Sequence, residues 1–302
     1  MSSTQQVRAG AAYVELTTKN TAFIKGLDAA KRRLQDFGMA TRMMGLKMFG
    51  VGTAAAAPLA ASVAVFASFD DAMLSVKGVT QASAEEFEKL RNKAKELGAT
   101  TSFTATQVAS LMAELGRAGF KPDQIIDMTG AVMDLARATG TDATLASGIM
   151  AASMRQFELQ ATDATRVADG FTAAANKTFN SVESLGEAFQ YVGPVAADAG
   201  MSLEETLAVL GTLGNVGIQG SEAGTAVRRL LTLSAAEAKK FSQVFGVATT
   251  DAIGNTRRLV DILGDVTAAT KDLPTGQRTA KFSKVFGLLG ITAASAIGKS
   301  VV

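Results

Sequence analysis

Four pairs of residues in this chain share one spacing: a hydroxyl residue stands three positions ahead of a glutamate or glutamine, just before a run of periodic apolar residues. They are Ser83 with Glu86, Thr104 with Gln107, Ser202 with Glu205 and Ser234 with Glu237. This arrangement lets the hydroxyl accept a backbone N–H of the first helical turn while the longer side chain reaches back to the cap residue's own N–H. Each such start contributes about 1 kcal/mol. The spacing has no use in a strand, so it restricts the chain to helices that begin often and end soon.

The apolar residues agree. Val108, Leu111 and Leu115 recur at helical intervals, as do Ile125, Met128, Val132 and Leu135. The same holds for Leu145, Ile149 and Phe157, for Val182, Leu185 and Phe189, and for Leu203, Leu207, Leu210 and Leu213. Each run marks one buried helix face. Glycines at 140 and 200 read as helix ends, Pro122 suits a first helical turn, and Gly193-Pro194 reads as a break between two helices. With 29 glycines, an uninterrupted coiled coil is excluded. The predicted fold is all-α, an array of short glycine-terminated helical hairpins, with one short strand at residues 12–17, "AYVELT". Four regions are expected: a strand and amphipathic helix over 1–43, an Ala/Gly-rich apolar segment over 44–69, a helical core over 70–233, and a C-terminal helical part over 234–302.

The core must be built from unusual material. Hydrophobic residues make up 47% of the 302 residues but aromatics only 6%, with no Trp and sixteen Phe as the bulky anchors. Two of the Phe pairs sit in an echo, "FSQVFG" at 241–246 and "FSKVFG" at 282–287. Phenylalanines four apart share a helix face. The echo is read as two similar helix ends closed by Gly246 and Gly287 rather than as a structural repeat.

Chemistry is constrained by what the sequence omits. Cys and His are both absent, which removes thiolates, the commonest general base and every Ser/His or Cys/His nucleophile arrangement. Catalysis is not expected, and neither a metal nor a cofactor is called for. A relaxed phosphate-loop match, "AASAIGKS" at 293–300, lacks a following helix whose amides could meet a phosphate. The acid pairs at Glu85/Glu86 and Glu204/Glu205 stand in first helical turns, where negative charge is favoured by the macrodipole. The basic doublets Arg228/Arg229, Lys239/Lys240 and Arg257/Arg258 come with no aromatic platform, and a net charge of +2 argues for no sequence-specific nucleic acid partner.

Two stretches remain. From Met48 through Pro58 to Phe69 no charged residue occurs, and most positions are Ala, Gly, Ser or Thr. The stretch reads as a buried or helix-packing segment, with a membrane span as the alternative. The second is "GTLGNVGIQGSEAGTAVRRLL" at 211–231, with five glycines between two helical runs. Gly211 and Gly214 lie a turn apart and allow close approach, Gly217 and Gly220 flank "IQ", Ser221 reads as an N-cap, and Gly224 offers a small surface early in the next helix. A phosphate cradle would need a Lys or Arg inside this loop. A helix–turn–helix corner is the better reading.

This corner also carries a resemblance. Residues 191–231, "YVGPVAADAGMSLEETLAVLGTLGNVGIQGSEAGTAVRRLL", closely resemble the central signature of the phage tail tape-measure protein core family. The segments 69–80, 97–120, 167–189 and 284–297 are similar to that family's flanking elements, so the likeness covers about residues 65–297. The signature positions are Gly193, Pro194, Gly200, Gly217, Gly220, Ser221 and Gly224.

The resemblance implies a structural component of a phage or prophage tail, present in several copies in the virion and made in the bacterial cytoplasm. It would scaffold tail-tube polymerisation and contact the tail-tube protein, tail-assembly chaperones and baseplate or tail-tip proteins. It further implies help in delivering the genome across the host inner membrane, which would give residues 48–69 a use. The alternative is a membrane-inserting, pore-forming helical protein. A fully helical chain of this length would span roughly 450 Å, which a glycine-broken core does not reach. The chain is therefore expected to be either a fragment of a longer ruler or part of a short tail system.

Overall fold

The computed structural model describes residues 56–301. The expected strand at 12–17, the first amphipathic helix and Met48 lie outside the described residues. The chain divides into two compact units, Met1–Val65 and Phe66–Val302, and the second holds the helical core.

Helix α1 (Ala56–Thr80) takes Pro58 in its first turn, where a missing N–H costs nothing, and runs on past Phe69. Phe69, Met73 and Val76, at helical spacing, are buried. Asp70, read from sequence as the end of the uncharged stretch, sits within this helix and pairs with Arg91 at 2.5 Å.

Then come α2 (Ala84–Thr100), α3 (Ala105–Arg117), α4 (Pro122–Thr139), α5 (Ala143–Gln156), a 3-10 turn at Ala161–Asp163, and α6 (Ala164–Lys177). They are followed by α7 (Val182–Asp198), α8 (Leu203–Gly214), α9 (Gly220–Ala236), α10 (Ala238–Phe245), α11 (Leu259–Thr270) and α12 (Thr275–Lys299). No strand occurs among the described residues. An isolated antiparallel bridge joins Thr250 and Thr256 in the loop before α11.

The caps do what the spacing predicts at three of the four pairs. Ser83 with Glu86 and Thr104 with Gln107 form reciprocal boxes, and Ser202 accepts the Glu205 N–H at 3.0 Å. The fourth expectation is corrected. Ser234 lies inside α9 on the buried face with Leu230 and Leu231, so packing carries the helix past it. Glu237 ends α9 instead, and its carbonyl accepts the Lys240 and Phe241 N–H groups.

Short connections fold these helices into a stack. From α3 to α9 the closest packing runs between alternate helices, α3 on α5, α4 on α6, α5 on α7, α6 on α8 and α7 on α9. Successive helices share less contact than alternate ones. The core is the Met- and Leu-rich interior that composition required, with Leu90, Leu111, Met112, Leu115, Ile125, Met128 and Leu135 fully buried.

At the C-terminal end α12 packs on α9, α10 and α11. Gly287 ends the first half of α12, as expected, at φ +67°, and the chain bends there, leaving the two halves at 113°. The bend lets Phe282, Val285 and Phe286 on one half and Ala293, Ala294 and Ile297 on the other all be buried. Gly246 closes α10 in the left-handed conformation, as predicted.

Candidate interaction site at the glycine corner

The joints between α7, α8 and α9 are built by local hydrogen bonding. After α7, Gly200 adopts φ +74°, and the Met201 N–H returns to the Ala196 carbonyl at 2.9 Å. This is the pattern of a left-handed helix stop. After α8, the Val216 and Ile218 N–H groups both bond the Leu213 carbonyl at 3.0 Å, around Gly217 at φ +85°. A side chain at position 217 would be strained in that conformation.

Here α8 meets the segment that links α6 to α7. A Cβ on Gly211 would lie 2.9 Å from the Thr178 methyl group, and one on Gly214 would lie 2.7 Å from the Asn180 side-chain carbon. The space thus freed is used for polar stitching. Asn180 is buried, and its Nδ2 donates to the Leu210 carbonyl at 3.2 Å and to Thr178 Oγ1 at 3.1 Å. The Phe179 N–H donates to Asn215 Oδ1 at 3.3 Å, and Gln219 Nε2 donates to the Phe179 carbonyl. Both backbone polar groups of Phe179 are held, yet the residue is 78% exposed, with Val216 exposed on the loop that grips it. A clamped backbone carrying an uncovered aromatic ring presents an apolar contact at low entropic cost.

The α7–α9 joint is the tightest in the stack. A Cβ on Gly224 would fall 3.0 Å from the Ala188 backbone, and its carbonyl oxygen is nearer still. Beside the joint lies a shallow groove of about 330 Å³ lined by Tyr191, Ile218, Ser221, Glu222, Thr225, Ala226 and Arg229. The Arg228 guanidinium sits 6.0 Å from the Tyr191 ring centre.

Three signature positions differ from expectation. Gly193 and Pro194 make no break and lie inside α7. Without a Cβ, Gly193 escapes part of the clash that proline imposes on the residue before it. Its bare face also admits Gln156, whose side-chain carbon would stand 2.7 Å from a Cβ there. Ser221 is not the N-cap of α9; the cap position is Gln219, which forms no side-chain cap bond. That side chain is spent on the Phe179 carbonyl, and the turn is made by Gly220 at φ +57°. Gly200, Gly217 and Gly220 sit in turns, and Gly224 is the close-approach surface. Pro58 lies near the start of α1 and Phe69 in the core, 5% exposed.

Electrostatics around the corner consist of exposed pairs. Asp163 accepts the Gln160 N–H at 3.0 Å and pairs with Arg166 at 3.1 Å, and these bonds, the backbone one first, hold its carboxyl below the usual range. Arg166 reaches on to Glu204, and its own pKa is raised chiefly by the bond to Asp163. Arg258 pairs with Glu205 at 3.1 Å, and Arg257 with Asp265 at 2.8 Å. Two predicted acid positions and one basic doublet are thereby joined across helix ends. Among the described residues no cluster of three acids could hold a metal ion.

Sequence reasoning missed Phe179, Asn180 and Gln219. Periodicity speaks for faces within a helix, and these three lie between helices; the one local signal was "FNS", a turn-forming pair after an aromatic residue.

The geometry defines the class first: an all-α structural protein, stacked helix on helix, whose surface offers a gripped aromatic ring and shallow grooves. The chain matches the family described as phage-related minor tail protein over residues 91–287, more than half its length, and belongs to that family. It is 35% identical over 292 residues to the tape measure protein of Pneumococcus phage Dp-1, which covers 92% of this chain and 25% of that relative. It is 30% identical over 282 residues to the probable tape measure protein of Escherichia phage P2, covering 90% of this chain and 34% of the relative. The chain thus spans about a quarter to a third of the length of these relatives. No solved structure matches it.

Proposed function

We propose that this chain is a folded helical core of a tape-measure-type tail protein and works by contact, without turnover, as a scaffold on which tail-tube subunits polymerise. Its partners in this reading are the tail-tube protein, tail-assembly chaperones and tail-tip or baseplate proteins, and its place is the virion tail after assembly in the host cytoplasm. The observation that carries the reading is likeness to two proteins named as tape measure proteins across 92% and 90% of the chain. The clamped Phe179 edge supplies a rigid surface on which such a partner could seat.

The same family likeness favours the tail role over the pore-forming alternative. Among the described residues no single helix is long and apolar enough to cross a membrane; at the described end of the uncharged stretch Phe69 is packed in the core, while Val65 and Phe66 are exposed.

The test is electron microscopy of lysates from the phage or prophage that encodes the chain, with and without residues 66–301 deleted in frame. Loss of tubes, or tubes of scattered length, is expected. Tubes unchanged in number and length would overturn the reading. Phe179→Asp, which leaves the backbone bonds of the corner in place, is expected to lower tube yield while the protein remains helical.

A further inference from the structure

Helix α5 has two apolar faces, and only one of them is covered. Ala146, Met150, Ala151 and Met154 are buried in the core. The face that periodicity marks, Leu145 and Ile149, is turned toward a hollow of about 510 Å³ between α5 and α7. Ile149 packs on Gly186, its Cγ1 2.6 Å from where a Cβ would stand, but Leu145 is left 44% exposed. Gly148 also lines the hollow. Glycine inside a helix is destabilising relative to alanine, and at Gly186, Gly193, Gly211 and Gly224 another segment of this chain occupies the place of the missing Cβ. At Gly148 nothing lies within 4 Å. Open space alone is no argument, since Gly78 and Gly130 are equally open; at Gly148 the space is part of the hollow.

The hollow is long, and its ends differ. Ile149 meets Gly186 and Gln156 meets Gly193, so α5 and α7 run side by side in the same direction. From Asp142 to Ala152 the hollow follows α5 for roughly 15 Å. At its start stand the carboxylates of Glu114 and Asp142, and no Lys or Arg is among the residues that line it. Glu114 is paired with Arg117. Asp142 Oδ1 accepts the Thr144 and Leu145 N–H groups at 2.9 and 3.0 Å, and this carboxylate forms no ion pair among the described residues. Leu145, Gly148, Ile149 and Ala152 make the wall beyond, and the far end is closed by the uncharged amides of Gln156 and Gln190. A volume of this size, mostly apolar with a few polar groups gathered at fixed places, is in the range of small-molecule sites.

We propose that the hollow between α5 and α7 binds a slender amphiphilic cation, an ammonium group on an unbranched hydrocarbon tail. Its head lies against Asp142 and Glu114, where negative charge attracts a cation and repels an anion, and its tail is taken out of water along Leu145, Gly148 and Ile149. A lysine side chain of a partner has the same chemistry, but its four methylenes are shorter than the apolar wall, so a free ligand with a longer tail is the better match. The site rests on the shape and charge of one cavity and does not depend on the tail-assembly reading.

Methyl NMR of the full chain, titrated separately with octylammonium, octanol and octanoate, tests it. Octylammonium is expected to shift the Leu145 and Ile149 methyl signals to saturation, with a dissociation constant on the order of 1 mM. Octanoate should bind about tenfold more weakly or less well still, with octanol between the two, and added salt should narrow the gap. Asp142→Asn removes the charge and keeps the helix cap, since Asn caps as well as Asp. It is expected to weaken octylammonium about threefold to fivefold and to leave octanol unchanged.

Gly148→Leu fills the hollow with a better helix former and should abolish the saturable shifts with all three probes, while far-ultraviolet circular dichroism shows the helices intact. A backbone-blocked lysine amide is expected to bind at least about tenfold more weakly than octylammonium, as its shorter tail buries less apolar surface. The absence of saturable shifts with octylammonium overturns the proposal, as does octanoate binding equally well or a Gly148→Leu protein that binds as the parent does. A lysine amide that binds as tightly as octylammonium overturns it too, because the hollow would then suit a partner's side chain rather than a free amphiphile.

Discussion

The α7–α8–α9 corner and the C-terminal packing of α10 against α12 both have to fix the angle between helices, and they do it by opposite means. At the corner, side chains are removed. Gly211, Gly214 and Gly224 bring backbone against Thr178, Asn180 and Ala188, and hydrogen bonds from Asn180 and Gln219 hold the loops. At the C-terminal end side chains are enlarged. Phe241, Phe245, Phe282 and Phe286 interlock, with Phe286 centred 5.4 Å from Phe241, 5.9 Å from Phe245 and 5.5 Å from Phe282. Aromatic rings at such separations in tilted or edge-on arrangements gain about 0.5–1.5 kcal/mol beyond their burial. A joint made of glycine depends on exact clearance and tolerates nothing added; a joint made of phenylalanine depends on volume and tolerates nothing removed.

The largest effect should come from removing volume. Phe286→Ala, at a fully buried ring touching three others, is expected to cost about 3–5 kcal/mol in urea unfolding. A loss under about 1 kcal/mol would show that the aromatic cluster is ornamental and that the comparison fails. Next comes added volume at the corner. Gly224→Ala gains helix propensity but must push α9 off the α7 backbone, and a net loss of about 1–3 kcal/mol is expected.

Its control is Gly130→Ala inside α4, where nothing lies within 4 Å of the added methyl group, and a gain of about 0.5–1 kcal/mol is expected. Equal signs at positions 224 and 130 would break the claim that close approach is what the corner glycines serve.

A third kind of junction sharpens the contrast, one stabilised by neither small nor large packing. Ser83→Ala removes the cap of α2 and should cost about 1 kcal/mol. Acid gives the smallest and most diagnostic change. The bond with the Ser83 hydroxyl, then that with the Ser83 backbone, lowers the Glu86 pKa, and the Gln160 N–H does the same for Asp163.

Carboxylates with depressed folded pKa values add stability that is fully present above the ordinary carboxylate range, near pH ~4, and is lost as pH falls through the lower folded values. The urea midpoint should therefore be flat from neutrality into mild acid and fall only below that range. The fall should be shallower in Ser83→Ala, measured by the same titration.

How much of this could be read along the chain follows from where each signal sits. Ser83, Thr104 and Ser202 name their helix starts because a cap bond closes within three residues and needs nothing from elsewhere. Gly140, Gly200 and Gly246 name helix ends for the same local reason. The misreadings cluster where a distant segment intervened. Pro194 stays helical because Gly193 relieves the local clash, and Gln156 from α5 fills the bare face beside it. Ser234 is carried past a good capping spacing by the burial of Leu230 and Leu231. The two "FS-VFG" echoes were legible as a likeness, but that they meet, Phe245 at 5.5 Å from Phe282, needed the bend at Gly287.

The sequence by itself determined that this protein is helical, that its helices are short, that thiol and imidazole chemistry is unavailable to it, and that residues 191–231 form its most distinctive stretch. These properties are set by side-chain types and by bonds that close within a turn. Only the tertiary structure decided that alternate helices stack, that Phe179 is gripped on both sides and left bare, and that the two phenylalanine echoes meet. Each of those depends on which backbone comes near which other, a distance that no local spacing encodes.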